Sequence, residues 1–135
     1  MADTFLFELV SPEELLLTEQ VTEVVLPASE GYLTVMVNHA PTMTSIVPGI
    51  IKVKPTDGDE KSFVVFGGFA DITPTGCSLL AESAISVEQF DHADLEDRIE
   101  RARHSLENAN GDEARNKAED FLHQLTTVRG VLTMA

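Results

Sequence analysis

The spacing of hydrophobic residues changes near residue 86, and that switch limits the possible folds more than any other feature of the chain. Before it, short runs alternate. Ile51 and Val53 interleave with Lys52 and Lys54, Val35 and Val37 with Thr34 and Met36, and Cys77, Leu79 and Ala81 with Ser78 and Glu82. A period of two places neighbours on opposite faces of a strand, one dry and one wet. Turn-forming residues fall between the runs: Pro27 to Gly31, Pro41, Pro48-Gly49, Asp57-Gly58, Gly67-Gly68 and Pro74 to Gly76. Asp57-Gly58 predicts a two-residue primed turn, because both residues tolerate positive φ. Gly67-Gly68 predicts a backbone bend where a neighbouring chain segment comes close. Short strands at such regular spacing predict a sandwich or a flattened barrel.

After residue 86 the period lengthens. Ser86-Val87-Glu88-Gln89 fits a capping box at a helix start. Leu95, Ile99, Ala102, Leu106 and Ala109 then recur at three- and four-residue intervals, the stripe of an amphipathic helix. Gly111 is placed to close that helix and Asp112 to cap the next. Ala114, Ala118, Phe121, Leu122, Leu125 and Val128 form a second stripe. Two such helices on a short turn fold back as an antiparallel hairpin. Strands followed by segregated helices make the chain α+β, with a β domain over residues 1–86 and a hairpin over 87–135.

Acidic residues outnumber basic ones 23 to 9, for a net charge of -14. Such a surface repels phosphate backbones and anionic lipid, which argues against nucleic acid and against polybasic membrane docking. The single cysteine, Cys77, excludes an internal disulfide framework and fits a reducing compartment. The opening MADTFLFELVSPEE has no basic segment ahead of an apolar one, so it does not read as a secretion signal, and it is too acidic for a transit peptide. No apolar run approaches the roughly 20 residues that cross a bilayer.

Sites of chemistry are scarce. His39, His92, His104 and His123 stand at no metal-ligand spacing, and no metal is expected. The acidic turn of Asp57, Asp59 and Glu60 lacks the remaining oxygen ligands of a calcium loop. Ser45, His39 and Asp71 supply the residue types of a nucleophilic triad without any local signature such as GxSxG. Cys77 alternates into an apolar strand face and reads as an inert buried thiol.

The stretch from Leu26 to Val53, LPASEGYLTVMVNHAPTMTSIVPGIIKV, is the most specific in the chain. SEG at Ser29 to Gly31, NHAP at Asn38 to Pro41 and the pair Pro48-Gly49, with FELVSPEELL before them and FVVFGGFADITPTGCSLLAESA after, resemble the epsilon subunit family of rotary ATP synthases, whose mitochondrial counterpart is called delta. The resemblance implies a two-sheet antiparallel β-sandwich followed by the helical hairpin. It further implies a noncatalytic rotor subunit without a cofactor, held between the gamma shaft and the ring of c subunits. On the gamma side it implies His39, with Thr42 and Thr44 beyond it. The other reading of His39, a turn histidine bonded to local backbone, stands beside that one. On the c-ring side it implies Ser29, Glu30 and Gly31. Many relatives carry a second acid after that glycine, where this chain has Tyr32, so the ring contact falls to Glu30 or to the phenol.

Relatives that bind regulatory ATP carry [IL]DxxRA at the start of the hairpin. The residues here are Phe90, Asp91, His92, Ala93, Asp94 and Leu95, with Asp94 at the arginine position. An acid there repels phosphate, so weak or absent ATP binding is expected. In self-inhibiting relatives the hairpin reaches the catalytic beta subunit through basic residues. Here Arg98, Arg101, Arg103, Arg115, Lys117 and Arg129 are outnumbered by eleven acids over residues 88–135, which implies weak inhibition. The implied location is the cytoplasmic face of a bacterial inner membrane, reached through the complex and without direct insertion into the membrane.

Overall fold

Alternation of period two is realised in nine strands: β1 (Phe5–Val10), β2 (Leu15–Ala28), β3 (Gly31–Val35), β4 (Thr42–Ile46), β5 (Gly49–Pro55), β6 (Lys61–Val65), β7 (Gly68–Thr73), β8 (Gly76–Ala81) and β9 (Ala84–Ser86). The structure, a computed structural model, describes residues 4–134. The chain divides between Glu88 and Gln89 into two units, each taken here by itself.

In the first unit the long strand β2 joins two layers. Its first half pairs with β1, from Phe5 opposite Val21 to Val10 opposite Leu15. Its second half pairs with β3 on one side and β5 on the other. One layer continues β1-β8-β7-β4, and the other extends through β5 to β6 and β9. Between them Phe5, Phe7 and Leu9 of β1 pack with Cys77, Leu79 and Ala81 of β8, Val24 and Leu26 of β2, and Ile51 and Val53 of β5. Every second residue of these strands faces this core, which is why the period of two is so plain in them. The β1–β8 ladder is parallel, from Leu6 opposite Gly76 to Val10 opposite Leu80, while the other pairings are antiparallel.

Local expectations are met unevenly. At Gly68, with φ of 144°, a Cβ would lie 2.1 Å from the Leu80 carbonyl oxygen, so the predicted close approach is real. The turn at Asp57-Gly58 belongs to a five-residue loop, 56–60, rather than a two-residue turn. The β5–β6 ladder ends at Val53 opposite Lys61, but β2 holds β5 in strand form as far as Pro55. Thr56 then donates from both its backbone N–H and its hydroxyl to the Gln20 carbonyl, at 3.1 and 2.8 Å. The alternation predicted through Val37 holds, with Met36 exposed and Val37 packed against the core, but the strand itself ends at Val35, because the chain turns at Val37 and Asn38, where Asn38 has a φ of 64°.

A 3₁₀ turn (Val87–Gln89) spans the division, and the second unit holds α1 (His92–Glu107) and α2 (Asp112–Met134). The capping box at Ser86 does not start the helix. Pairing with Phe63 keeps Ser86 extended as the last residue of β9. Asp91 is the N-cap instead, its Oδ1 accepting from the Ala93 N–H at 2.9 Å. Gly111, with φ of 92°, lies in the turn, and its carbonyl accepts from the Arg115 N–H at 3.1 Å, so Gly111 rather than Asp112 takes the capping position of α2. Leu95, Ile99 and Ala102 are buried on α1, and Leu125, Val128 and Leu132 on α2. Ala114 and Phe121, assigned to the second stripe, are exposed. Arg129 of α2 reaches both carboxylate oxygens of Glu96 on α1 at 3.2 Å and ties the two helices together.

Candidate functional site

The two groups of residues suggested by the resemblance stand at opposite ends of β4. Ser29 and Glu30 form the tight turn between β2 and β3, closed by Ala28 opposite Gly31, whose φ is 127°. Both side chains are exposed. The turn is fixed near the end of β4 by the Ser29 N–H donating to the Ser45 carbonyl at 3.0 Å, and next to it the Val47 N–H donates to Pro27 at 2.9 Å. Tyr32 is 61% exposed, yet its hydroxyl accepts from the Ile50 N–H at 3.1 Å. The phenol oxygen is thus already engaged within the fold, and Glu30 is the exposed charge of this turn.

His39 precedes the start of β4, in a loop fastened by the Asn38 N–H donating to the Pro74 carbonyl at 2.9 Å. Its Nδ1 lies 2.8 Å from the carbonyl oxygen of Ala40, an acceptor, so Nδ1 is the donor in this contact. The locally bonded turn histidine is therefore realised, with the other ring nitrogen still available for a partner. Thr42 and Thr44 are half-buried, in phase with the buried Ile46. Their hydroxyls donate to the carbonyls of Ala40 and Ser45 at 3.0 and 3.3 Å. The outward residues of β4 are Met43, 75% exposed, and Ser45.

That outward phase leads to a surface the sequence reading passed over. Ser45 stands opposite Phe69, Phe69 opposite Leu80, and Leu80 beside Val10, a row running across β4, β7, β8 and β1. Phe69 and Leu80 are each 58% exposed. The next row holds Met43, Asp71, Ser78 and Glu8. A legible signal did exist: if Leu79 faces the core, its neighbour Leu80 must face out, and an apolar residue in the wet phase needs a reason. The same register sets Ser45 and Asp71 two positions apart along the ladder, while His39 bonds to Ala40, so these three do not assemble into a catalytic arrangement.

Cys77 is buried, and its thiol is pushed up to about 12, first by loss of solvent and second by the nearby Asp71 carboxylate. It stays protonated and unreactive at neutral pH. On α1 the Asp94 carboxylate accepts from Arg98 Nε at 3.0 Å, and Asp91 is occupied in capping. Arg101 pairs with Asp97 at 3.0 Å, Arg103 with Glu100, and Lys117 with Glu113 at 3.6 Å. The hairpin's cations are largely matched by acids of the same hairpin. Among the described residues no cluster of potential ligands could hold a metal ion, and no helix is long and apolar enough to cross a membrane.

The model of the ATP synthase delta/epsilon chain β-sandwich domain matches residues 4–87. This chain belongs to the ATP synthase delta/epsilon chain family. The ATP synthase epsilon chains of Brucella anthropi and Brucella canis are each 59% identical to it over 135 residues, the whole of both chains. Among solved structures, a chain in the Euglena gracilis mitochondrial ATP synthase assembly of OSCP, F1 and c-ring aligns with a TM-score of 0.76 at 25% identity, covering 98% of this chain and 82% of that one. A chain of the Tetrahymena thermophila mitochondrial ATP synthase central stalk and c-ring aligns at 0.64 and 15% identity over 96% and 94% of the two chains, a likeness of fold. Membership in the delta/epsilon family bears out the resemblance carried by the SEG, NHAP and Pro-Gly blocks, and with it the sandwich-and-hairpin architecture.

Proposed function

We propose that this chain is the noncatalytic central-stalk subunit of a proton-driven ATP synthase and couples rotation of the c-ring to the gamma shaft. The observation that carries the reading is the 59% identity to ATP synthase epsilon chains over the full length of both chains. The geometry suits the task. Torque passes through a body only if that body resists shear, and a sandwich closed by shared β2 and packed on fully buried Phe7, Leu9 and Ile51 has little freedom to deform.

Labour is divided between residues 1–86, which make the rotor contacts, and residues 87–135, the regulatory hairpin. The gamma surface comprises the His39 loop and the outer face of β4, β7 and β8, where the row of Met43 lies nearer the loop and the apolar row of Phe69 and Leu80 lies beyond it. Thr42 and Thr44 support that surface from the inward side of β4. The c-ring contact is the Ser29 to Gly31 turn with Glu30 as its charged group, and Tyr32 behind it. The hairpin contributes little nucleotide binding, since Asp94 is an acid paired to Arg98. It inhibits hydrolysis weakly, since most of its cations are matched by acids of the hairpin and approach to the catalytic beta subunit lacks long-range attraction. The chain works at the cytoplasmic face of a bacterial inner membrane, held there by its partners.

Disulfide crosslinking in the whole complex tests this. His39→Cys should crosslink to a cysteine in the foot of gamma, and Glu30→Cys to one in a polar c loop. Complex reconstituted without this subunit should lose coupled proton pumping. Normal pumping and synthesis in its absence would defeat the proposal.

A further inference from the structure

We infer that Tyr32 is a positioning residue: its hydroxyl, by accepting the Ile50 N–H, holds the Ser29–Glu30 turn in the pose that meets the c-ring. The inference rests on the c-ring contact proposed above and deepens it.

Three observations point this way. The β2–β5 ladder stops at Val25 opposite Lys52, so the backbone of β5 from Ile51 back to Gly49 lies outside that ladder although β2 runs on beside it to Ala28. Ile50, two residues beyond that end and itself buried, donates its N–H to the Tyr32 oxygen at 3.1 Å. A side chain from β3 thus supplies the acceptor that a strand would otherwise provide, and a buried N–H is costly to leave without one.

Room has also been left for the phenol. A Cβ at Gly49 would lie 2.9 Å from the Tyr32 hydroxyl and 2.5 Å from Pro27 Cβ. Pro27 is the cross-strand partner of Tyr32. The ring therefore bridges from β3 past Pro27 to a position that only glycine leaves open.

The β2–β3 ladder closes the turn at Ala28 opposite Gly31, and outside that ladder the turn has few other fastenings. The Ser29 N–H holds one side of it to Ser45 and Val47 holds Pro27. On the β3 side, after a glycine at φ of 127°, Tyr32 is the first residue with a side chain to anchor. Its 61% exposure means that the residue contributes little apolar burial, so its hydrogen bond is the part of it that the fold uses.

Tyr32→Phe in the full chain removes the oxygen and keeps the ring. Loss of one neutral hydrogen bond should shift the balance between fixed and loosened turn by about fivefold. Amide exchange at Ile50 should quicken by about that factor. A nitroxide on Ser29→Cys should gain mobility, and Cys77, being buried, will not take the label. The thermal midpoint should stay within a few degrees. In whole complex reconstituted with unlabelled Tyr32→Phe, protons pumped per ATP hydrolysed should fall reproducibly below the unsubstituted value, with retention of gamma unchanged.

Unchanged exchange and mobility would overturn the inference. So would a looser turn with normal pumping, or a large fall in thermal midpoint, which would make Tyr32 a general stabiliser. Complex reconstituted without the subunit serves as the separate control. Normal pumping there defeats the rotor reading itself, whereas lost pumping there with a silent Tyr32→Phe defeats only the role given to Tyr32.

Discussion

Removing the apolar row from the outer face of the sandwich should abolish most of its grip on gamma without disturbing the fold. Phe69 and Leu80 face each other across β7 and β8, and each is 58% exposed. Full burial of such a side chain is worth about 1.5–3 kcal/mol, so covering the exposed part of each is worth about 1–1.7 kcal/mol. Because the two side chains adjoin and would be covered by one surface of gamma, their contributions overlap, and about 2–3 kcal/mol for the pair is a reasonable sum. The double substitution Phe69→Ala, Leu80→Ala should therefore weaken binding to a soluble complex containing gamma by about 30- to 150-fold. Isothermal titration calorimetry measures this directly. The isolated double variant should melt within a few degrees of the unsubstituted chain, since these side chains contribute little to its own core. A dissociation constant within threefold of the original, in a variant that still melts cooperatively, would refute the assignment of this face to gamma.

Other outcomes follow from the same structure. Gly68→Ala should cost at least about 3 kcal/mol in urea denaturation, combining positive φ with a Cβ 2.1 Å from the Leu80 carbonyl; a loss below 1 kcal/mol would mean the approach is not so tight. The Cys77 thiol titrates near 9 when unfolded and about 12 when folded, so the folded state holds its proton longer. Its contribution is present below pH 9 and lost as pH rises from 9 towards 12, and Cys77→Ala should show a correspondingly flatter decline of stability over that range. Calorimetry of the full chain with ATP should detect no micromolar binding, as Asp94 stands at the arginine position and pairs with Arg98 at 3.0 Å. Deleting residues 86–135 within the complex should change ATP hydrolysis by less than about twofold, and a several-fold rise would show that the hairpin inhibits after all.

Relatively little of the recognition surface could be read in one dimension. The Ser29–Glu30 turn was legible because a tight turn needs glycine at positive φ, and Gly31 supplies it. His39 was legible as a turn residue, and its backbone bond is local. Thr42 and Thr44 were named from their position alone, and their inward phase became clear only when Ile46 was seen to be buried. Phe69 and Leu80 escaped notice because each is unremarked in its own strand. They form a surface only through the pairing of β7 with β8, which joins residues eleven positions apart.

The chain's own order of residues determined the switch from strands to helices and the dry phase of β5 and β8. These depend on neighbours within a few positions, where periodicity acts. Tertiary structure decided the rest. It made β1 parallel to β8, kept Ser86 in a strand instead of a helix cap, and brought the Tyr32 hydroxyl to the Ile50 N–H of β5. Each of those outcomes joins segments far apart in the chain, and a local preference worth less than about 1 kcal/mol yields to a ladder or a buried N–H that must find its partner.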